Sequence, residues 1–237
     1  MQFTIRSQNS SLEEFNQYLT EQQIDILKTI DADLDLDIDE HGHLNLKWKD
    51  FTGLKIKADQ LLQYHKTFFY KNSIYKEPLA RAIGLKKGQV KPSVIDATGG
   101  MLGDSLLMLG MGIDNLKTYE RHPVLALLIL DAIKHYDLKI DFHFGSIQEF
   151  ICRSSVIYFD PMYHEKNTKA SPKKSMAIFR ELVGADVDAA NVAKKLCMEN
   201  CQRVVIKRSR KASPLIEKPH HTIEGKSTCY DVYLCSN

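Results

Sequence analysis

No run of apolar residues in this 237-residue chain approaches the roughly 20 needed to cross a bilayer. The N-terminal stretch MQFTIRSQNSSLEEF carries no apolar signal core. These two absences predict a cytoplasmic protein with no membrane partner. Net charge is nearly absent as well: 32 basic residues face 30 acidic ones, for a formal +2. That balance excludes binding to nucleic acid by bulk charge and leaves the task to local basic patches. The five cysteines (Cys152, Cys197, Cys201, Cys229, Cys235) are odd in number, with no C-x-x-C pair and no flanking histidine pair. Reduced core thiols are expected rather than disulfides or a zinc site, and no metal is expected. Internal repeats, low-complexity tracts and a G-x-G-x-x-G phosphate fingerprint are all missing. What remains is a chain with 43% hydrophobic residues, enough for one substantial core or one core with a small appendage.

The appendage is read from DADLDLDIDEHGHLNLKWKD, residues 31–50. Its apolar residues alternate: Leu34, Leu36 and Ile38 share one face of a strand, and Leu44, Leu46 and Trp48 share one face of the next. A three-residue loop, Glu40-His41-Gly42, joins them into a hairpin over 33–49, with Gly42 suited to a left-handed position. That register sets Asp35 opposite Lys47 and Asp33 opposite Lys49, favourable cross-strand pairs on the wet face. Residues 1–75 are therefore expected to form a small α+β extension, a cap or a platform for a partner. Residues 52–90 interleave Lys55, Lys57, Lys66 and Lys71 with Tyr64, His65, Phe68, Phe69 and Tyr70. That pattern suits nucleic-acid contacts, and it equally suits an amphipathic helix with a solvated lysine face.

From Lys91 the rhythm becomes strand, turn, helix. Strands are predicted in SVIDATGG, LKTYE, IDFHF, VIYF and RVVIKRS, with helices in DSLLMLGMG, HPVLALLILDAIKHY, SMAIFRELVG and DVDAANVAKKLCMEN. HHTIEG and CYDVYLC read as a closing hairpin. Alternating strands and helices predict a mostly parallel sheet covered on both faces, which binds ligands at the carboxyl ends of its strands. The second unit is expected to span 76–237.

The unusual residues fall at those strand ends. DATGGMLGD, Asp96 to Asp104, places Gly99, Gly100 and Gly103 in a turn that passes close to a ligand. Its flanking acids suit a cationic or neutral ligand better than a pyrophosphate. Glu120 closes the second strand, where an acid hydrogen-bonds ribose hydroxyls; a helix N-terminal acid is the plainer reading. Gly145 and Ser146 follow the third strand. Ser146 and Glu149 match a capping box, which needs no ligand to explain it. Together these describe a nucleoside site, and VIYFDPMYHEK aims Asp160, Pro161 and Tyr163 at its reacting end. As separate residues, Asp160 reads as a helix cap and Tyr163 as a half-buried core ring. Lys166, Lys169, Lys173 and Lys174 in the following loop, with Lys207 and Arg208 at the fifth strand's end, are candidate phosphate contacts on one edge. The plainer reading of the loop is a solvated one.

DATGGMLGD, YERHPVLALLILDAI, DPMYHEKNTKASPKKSMAIFRELVG, and VVIKRSRKASPL followed by YDVYL resemble the ribosomal small-subunit methyltransferase J family over roughly residues 50–237. The resemblance implies an α/β fold with a seven-stranded Rossmann-like class I methyltransferase sheet and a small N-terminal α+β extension. It implies methyl transfer from S-adenosylmethionine to the 2-amino group of a guanosine in 16S ribosomal RNA, with that RNA or the small ribosomal subunit as partner. By the same likeness Gly103, Asp104, Glu120, Arg121, Gly145, Ser146 and Asp160 sit where the family contacts the cofactor. Asp96 and Gly99 join them from the glycine turn, and Asp160, Pro161 and Tyr163 are the catalytic candidates. Amino-group transfer to DNA, tRNA or a protein glutamine, nicotinamide-dependent oxidoreduction, and RNA binding without catalysis stand as alternatives.

Overall fold

Buried β-branched runs explain the centre of the molecule. Val94–Asp96 (β5) and Val156–Phe159 (β8) are buried at every position, as strands covered on both faces must be. The computed structural model describes residues 4–5, 19–30, 35–48, 51–149, 155–162, 183–184, 186–199 and 201–235. Around β5 and β8 lie β6 (Leu116–Glu120), β7 (Asp141–Phe144), β9 (Arg203–Ser209), β10 (His221–Glu224) and β11 (Thr228–Leu234). They form one seven-stranded sheet in the order β10-β11-β9-β8-β5-β6-β7. Strands β5 to β9 run parallel, while β11 runs antiparallel to β9, and β10 to β11. This is the seven-stranded arrangement the sequence led one to expect. The chain winds outward from β5 to β6 and β7, then returns to β8 on the other side of β5. A crevice therefore opens between the carboxyl ends of β5 and β8.

Four strands precede this sheet. β1 (Thr4–Ile5), β2 (Asp35–Ile38), β3 (Leu44–Trp48) and β4 (Phe51–Leu54) form a second sheet in chain order. The hairpin register is the expected one, with Asp35 opposite Lys47 and Ile38 opposite Leu44. Asp33 and Lys49 lie outside the described residues. Gly42 takes φ +81° in the three-residue loop, and Asp39 N–H closes that loop on the His43 carbonyl at 3.0 Å. β1 carries too few residues to announce itself in the sequence, and β4 is interrupted by Gly53 at φ +101°.

Helices fill the space between. α1 (Glu21–Thr29) starts at a Thr20/Gln23 capping box, which satisfies two otherwise orphaned N–H groups. α2 (Ala58–Lys71), α3 (Pro78–Ala82), α4 (Gly103–Gly110), α5 (Pro123–Tyr136) and α6 (Ala189–Leu196) follow. The expected helix in SMAIFRELVG falls outside the described residues except at Val183 and Gly184. α5 begins on Pro123, where the missing N–H has no partner to lose. It buries Val124 to Ile129 continuously, because the sheet covers one side and the N-terminal elements the other. The hairpin clamps onto α5 through Asp131. Its Oδ1 accepts the Leu44 N–H at 3.0 Å, and His135 Nε2 lies 2.9 Å from the Gly42 carbonyl.

Leu44 and Leu46 share one apolar cluster with Leu79, Leu106, Leu128 and Val205. The core is therefore shared between the elements of the two sheets. Gly110 lets α2 press on α4: a Cβ there would stand 2.5 Å from His65 Cβ. Cys197, Cys201, Cys229 and Cys235 are in the reduced form, with Cys201 Sγ 3.0 Å from Cys235 Sγ; Cys152 lies outside the described residues. No described helix is long and apolar enough to cross a membrane.

Candidate active site

The crevice over β5 and β8 is a cleft of about 950 Å³, within the range that holds a nucleoside-sized ligand. Its floor is built from strand ends. At the end of β5, Asp96 is buried, with Oδ2 accepting the Ser105 hydroxyl at 2.6 Å and Oδ1 the Thr98 N–H at 3.0 Å. Burial pushes its pKa up to about 8, against the pull of those two donors. Asp96 therefore braces the turn as a largely protonated acid. The glycines after it do different work. A Cβ on Gly99 would stand 2.9 Å from Thr118 Cγ2 and 3.0 Å from Ile129 Cδ1, so this glycine admits β6 and α5. Gly103 has open space at the same position and faces the cleft. Between them Leu102, fully buried, takes φ 60° to start α4. A leucine rarely adopts that left-handed conformation, and packing holds it there at the rim of the site.

At the end of β6, Glu120 is 7% exposed. Its Oε2 accepts the Gly100 N–H and its Oε1 the His122 N–H, each at 2.7 Å. Burial raises its pKa and the two N–H groups pull it back. A carboxylate oxygen can accept two hydrogen bonds, so both oxygens keep capacity for a ligand. Arg121 reaches over the cleft to Asp186 and Asp188, with Nη1 2.9 Å from Asp188 Oδ2. Asp186 also takes the Met162 N–H at 2.6 Å and returns its own N–H to the Met162 carbonyl at 2.7 Å. The end of β8 and the start of α6 are thereby tied to β6. Gly145 and Ser146 line the same wall. Ser146 Oγ takes the Gln148 N–H at 3.4 Å in a single 3₁₀ turn, Ile147–Glu149, in place of the α-helical capping box that S-x-x-E suggested.

At the end of β8, the Asp160 N–H donates to Thr98 Oγ1 at 2.8 Å. Its carboxylate shares Lys207 with Asp104: Nζ lies 2.8 Å from Asp160 Oδ2 and 2.7 Å from Asp104 Oδ2. Tyr158 adds a hydroxyl donor to Asp104 at 2.6 Å. Burial pushes Asp160 up to about 6, with Lys207 pulling down and Asp104 pushing up. Burial opposes the charge on Lys207, but the two carboxylates outweigh it and hold its pKa above the ordinary lysine value. One ammonium thus serves two acids beneath the cleft.

A family model for putative SAM-dependent methyltransferases matches residues 19–235. A ribosomal RNA small subunit methyltransferase J from Thioalkalivibrio sulfidiphilus is 37% identical over 178 residues, covering 68% of this chain and 69% of that one. One from Proteus mirabilis is 36% identical over 175 residues, covering 67% and 69%. The chain belongs to the methyltransferase J family. The crystal structure of a SAM-dependent methyltransferase from Neisseria gonorrhoeae shares the fold, with TM-score 0.64 and 23% identity over 93% of this chain and 94% of that one.

As a member of that family the chain uses S-adenosylmethionine, and its own residues fit that molecule. Among the described residues, five carboxylates line the cleft (Asp104, Glu120, Asp160, Asp186, Asp188), beside the protonated Asp96, against three basic groups (Arg121, Lys207, Arg208). A wall of that sign favours a ligand bearing a sulfonium and an ammonium. Glu120 ends β6 at the cleft wall, and its two oxygens keep acceptor capacity beyond the Gly100 and His122 N–H groups. The structure brings Asp96, Gly99, Gly103, Asp104, Glu120, Arg121, Gly145, Ser146, Asp160 and Pro161 to the one cleft. Within it Asp96 and Gly99 are framework, and Arg121 spans two aspartates. The sequence suggests Lys207 and Arg208, at the fifth strand's end, as phosphate contacts on the same edge as the loop lysines. Lys207 points inward to the two acids, and Arg208 is held by Asp231, Nε to Oδ2 at 2.6 Å. Both are engaged in the protein rather than presented to phosphates. Tyr163, Lys166, Lys169, Lys173 and Lys174 lie outside the described residues. Reading the sequence missed Asp186 and Asp188, which look like the opening of a helix in DVDAA, and Thr98, which looks like a turn residue. A group with metal-ligand atoms, His43, Asp131 and His135, sits at the hairpin seam, where it fastens β3 to α5.

Proposed function

We propose that this chain methylates the 2-amino group of a guanosine in 16S ribosomal RNA. What supports the substrate class is the name carried by its relatives, ribosomal RNA small subunit methyltransferase J. The observation that carries the chemistry is the Asp160 carboxylate, raised to about 6 and paired with Lys207 at the reacting end of the cleft, with its backbone N–H anchored on Thr98 Oγ1.

The guanine 2-amino nitrogen is a poor nucleophile because its lone pair is delocalised into the ring. Bound S-adenosylmethionine supplies a methyl group activated by its sulfonium. Glu120 takes the ribose hydroxyls and fixes the nucleoside along the ends of β5 and β6. Asp160 then stands at the end of β8, across the switch point, as an acceptor for the amino N–H. With a pKa of about 6, it is roughly nine-tenths ionised at pH 7 and close enough to the working pH to take a proton. Lys207 keeps that charge in place at the moment positive charge develops on the nitrogen. Pro161, buried just beyond, stiffens the turn, so acceptor and nitrogen need little further ordering. Tyr163 is the proposed ring on which the extruded base stacks.

The test is Asp160→Asn assayed with small subunits or protein-free 16S RNA and labelled S-adenosylmethionine. The variant should bind cofactor and lose about 10²–10⁴-fold in transfer, the worth of a positioned general base. Transfer at the wild-type rate would remove Asp160 from the chemistry.

A further inference from the structure

The cleft has a neighbour. A shallower groove of about 400 Å³ is lined by Lys55, Ile56, Lys57, Gln60, Tyr64 and Met101, among others. Met101 lines both groove and cleft, and Leu54 in the cleft is followed directly by Lys55 in the groove. From there the surface continues along α2. Lys57, Gln60, Tyr64, Phe68 and Lys71 succeed one another at intervals of three or four residues, so they share one helical face. Over 14 residues that stripe runs about 21 Å.

Two large rings on this stripe face solvent. Tyr64 is 62% exposed and Phe68 40%, and they are stacked on each other, with centroids 6.2 Å apart and planes at 24°. Their flanks are basic. Between Lys55 and Lys76 the chain has five lysines and one acid, Asp59, in a protein whose formal charge is only +2. Lys55 is engaged with Asp39. The stripe is also firmly seated, because Gly110 lets α2 pack directly on α4, and α4 opens with Gly103 and Asp104 in the cleft wall.

We propose that this face of α2 is a stacking platform for unpaired nucleotides beside the target guanosine. The inference rests on the reading that the substrate is RNA. Exposed rings at the mouth of a nucleoside site accept any base by its π-face, and lysines at either end hold the phosphates between. An acidic protein partner would use the lysines and leave the rings without purpose; a lipid surface would call for a broader apolar face than two rings. The platform turns the even choice left by the sequence, solvated helix or nucleic-acid contact, toward the second.

Two double variants test it, with the RNA substrate that the wild type methylates. Tyr64→Ala with Phe68→Ala should raise KM for RNA by about 5- to 150-fold, the worth of one lost base stack. Cofactor Kd and melting temperature should hold, since both rings are exposed. Lys57→Ala with Lys71→Ala should flatten the salt dependence of RNA binding. Independently, thiouridine-substituted 16S RNA should crosslink within residues 58–71 of the wild type. Unchanged KM in the ring variant, or crosslinks confined to other peptides, overturns the platform while wild-type transfer to RNA continues. A wild type that transfers no methyl to ribosomal RNA instead overturns the reading beneath it.

Discussion

Replacing Lys207 by methionine isolates the electrostatics of the site. The side chain keeps most of its apolar length and loses the ammonium that lies 2.7 Å from Asp104 and 2.8 Å from Asp160. Burial and Asp104 already push Asp160 up to about 6 while Lys207 pulls it down. Removing an opposite charge at that distance is worth roughly 1–3 pKa units, which carries Asp160 to roughly 7–9. The ionised fraction at pH 7 then falls from roughly nine-tenths to between about one half and one hundredth. Because the active form is the carboxylate, the acid limb of kcat/KM moves to higher pH by the same amount, and activity returns as pH rises through the new value. The assay is methyl transfer from pH 5.5 to 9.5, paired with a melting curve at each pH to confirm the fold. An acid limb that stays near pH 6, or a loss that alkaline buffer does not restore in a folded variant, would refute the role given to Lys207.

Burial raises Asp96 to about 8, so its contribution to stability is fully present below about pH 4, is lost progressively as pH rises from there, and is gone above about 8. Asp96→Asn should remove that loss, and the difference in melting temperature between variant and wild type should grow from about pH 5 to about pH 8 and level off above it; a flat difference across that window contradicts the buried acid. Gly99→Ala should cost about 1–3 kcal/mol in denaturant unfolding, because its Cβ meets Thr118 and Ile129 in a packed core. Gly103→Ala, with open space at that position, should leave stability unchanged and weaken only the cofactor. Asp131→Ala should destabilise by about 1–3 kcal/mol by orphaning the Leu44 N–H, a buried donor, with cofactor affinity measured by calorimetry staying put.

The fold was legible where the middle of a strand is buried on both faces. LKTYE, VIYF and RVVIKRS are β6, β8 and β9 to the residue, since burial on both faces leaves little choice of composition. The two-residue β1 and the irregular β4 were not legible, because a short edge strand owes its existence to the partner it pairs with. The places of Glu120 and Asp160 in the cleft lining were readable from position, because each lies at the carboxyl end of a strand beside the switch point. Side chains that work by reaching were not. KRSRK looks like a surface patch, yet Lys207 spans to acids 103 and 47 residues away in sequence, a separation no local pattern encodes. Gly99 looked like a ligand glycine, and only the positions of Thr118 and Ile129 identify it as a packing one.

The central claim is tested most directly by the chemical identity of the product. Small subunits or 16S RNA incubated with the protein and methyl-labelled S-adenosylmethionine are digested to nucleosides and resolved by mass spectrometry. The label should appear in N2-methylguanosine, and it should disappear from that nucleoside with Asp160→Asn. Label in another nucleoside, in ribosomal protein or in neither would contradict the account.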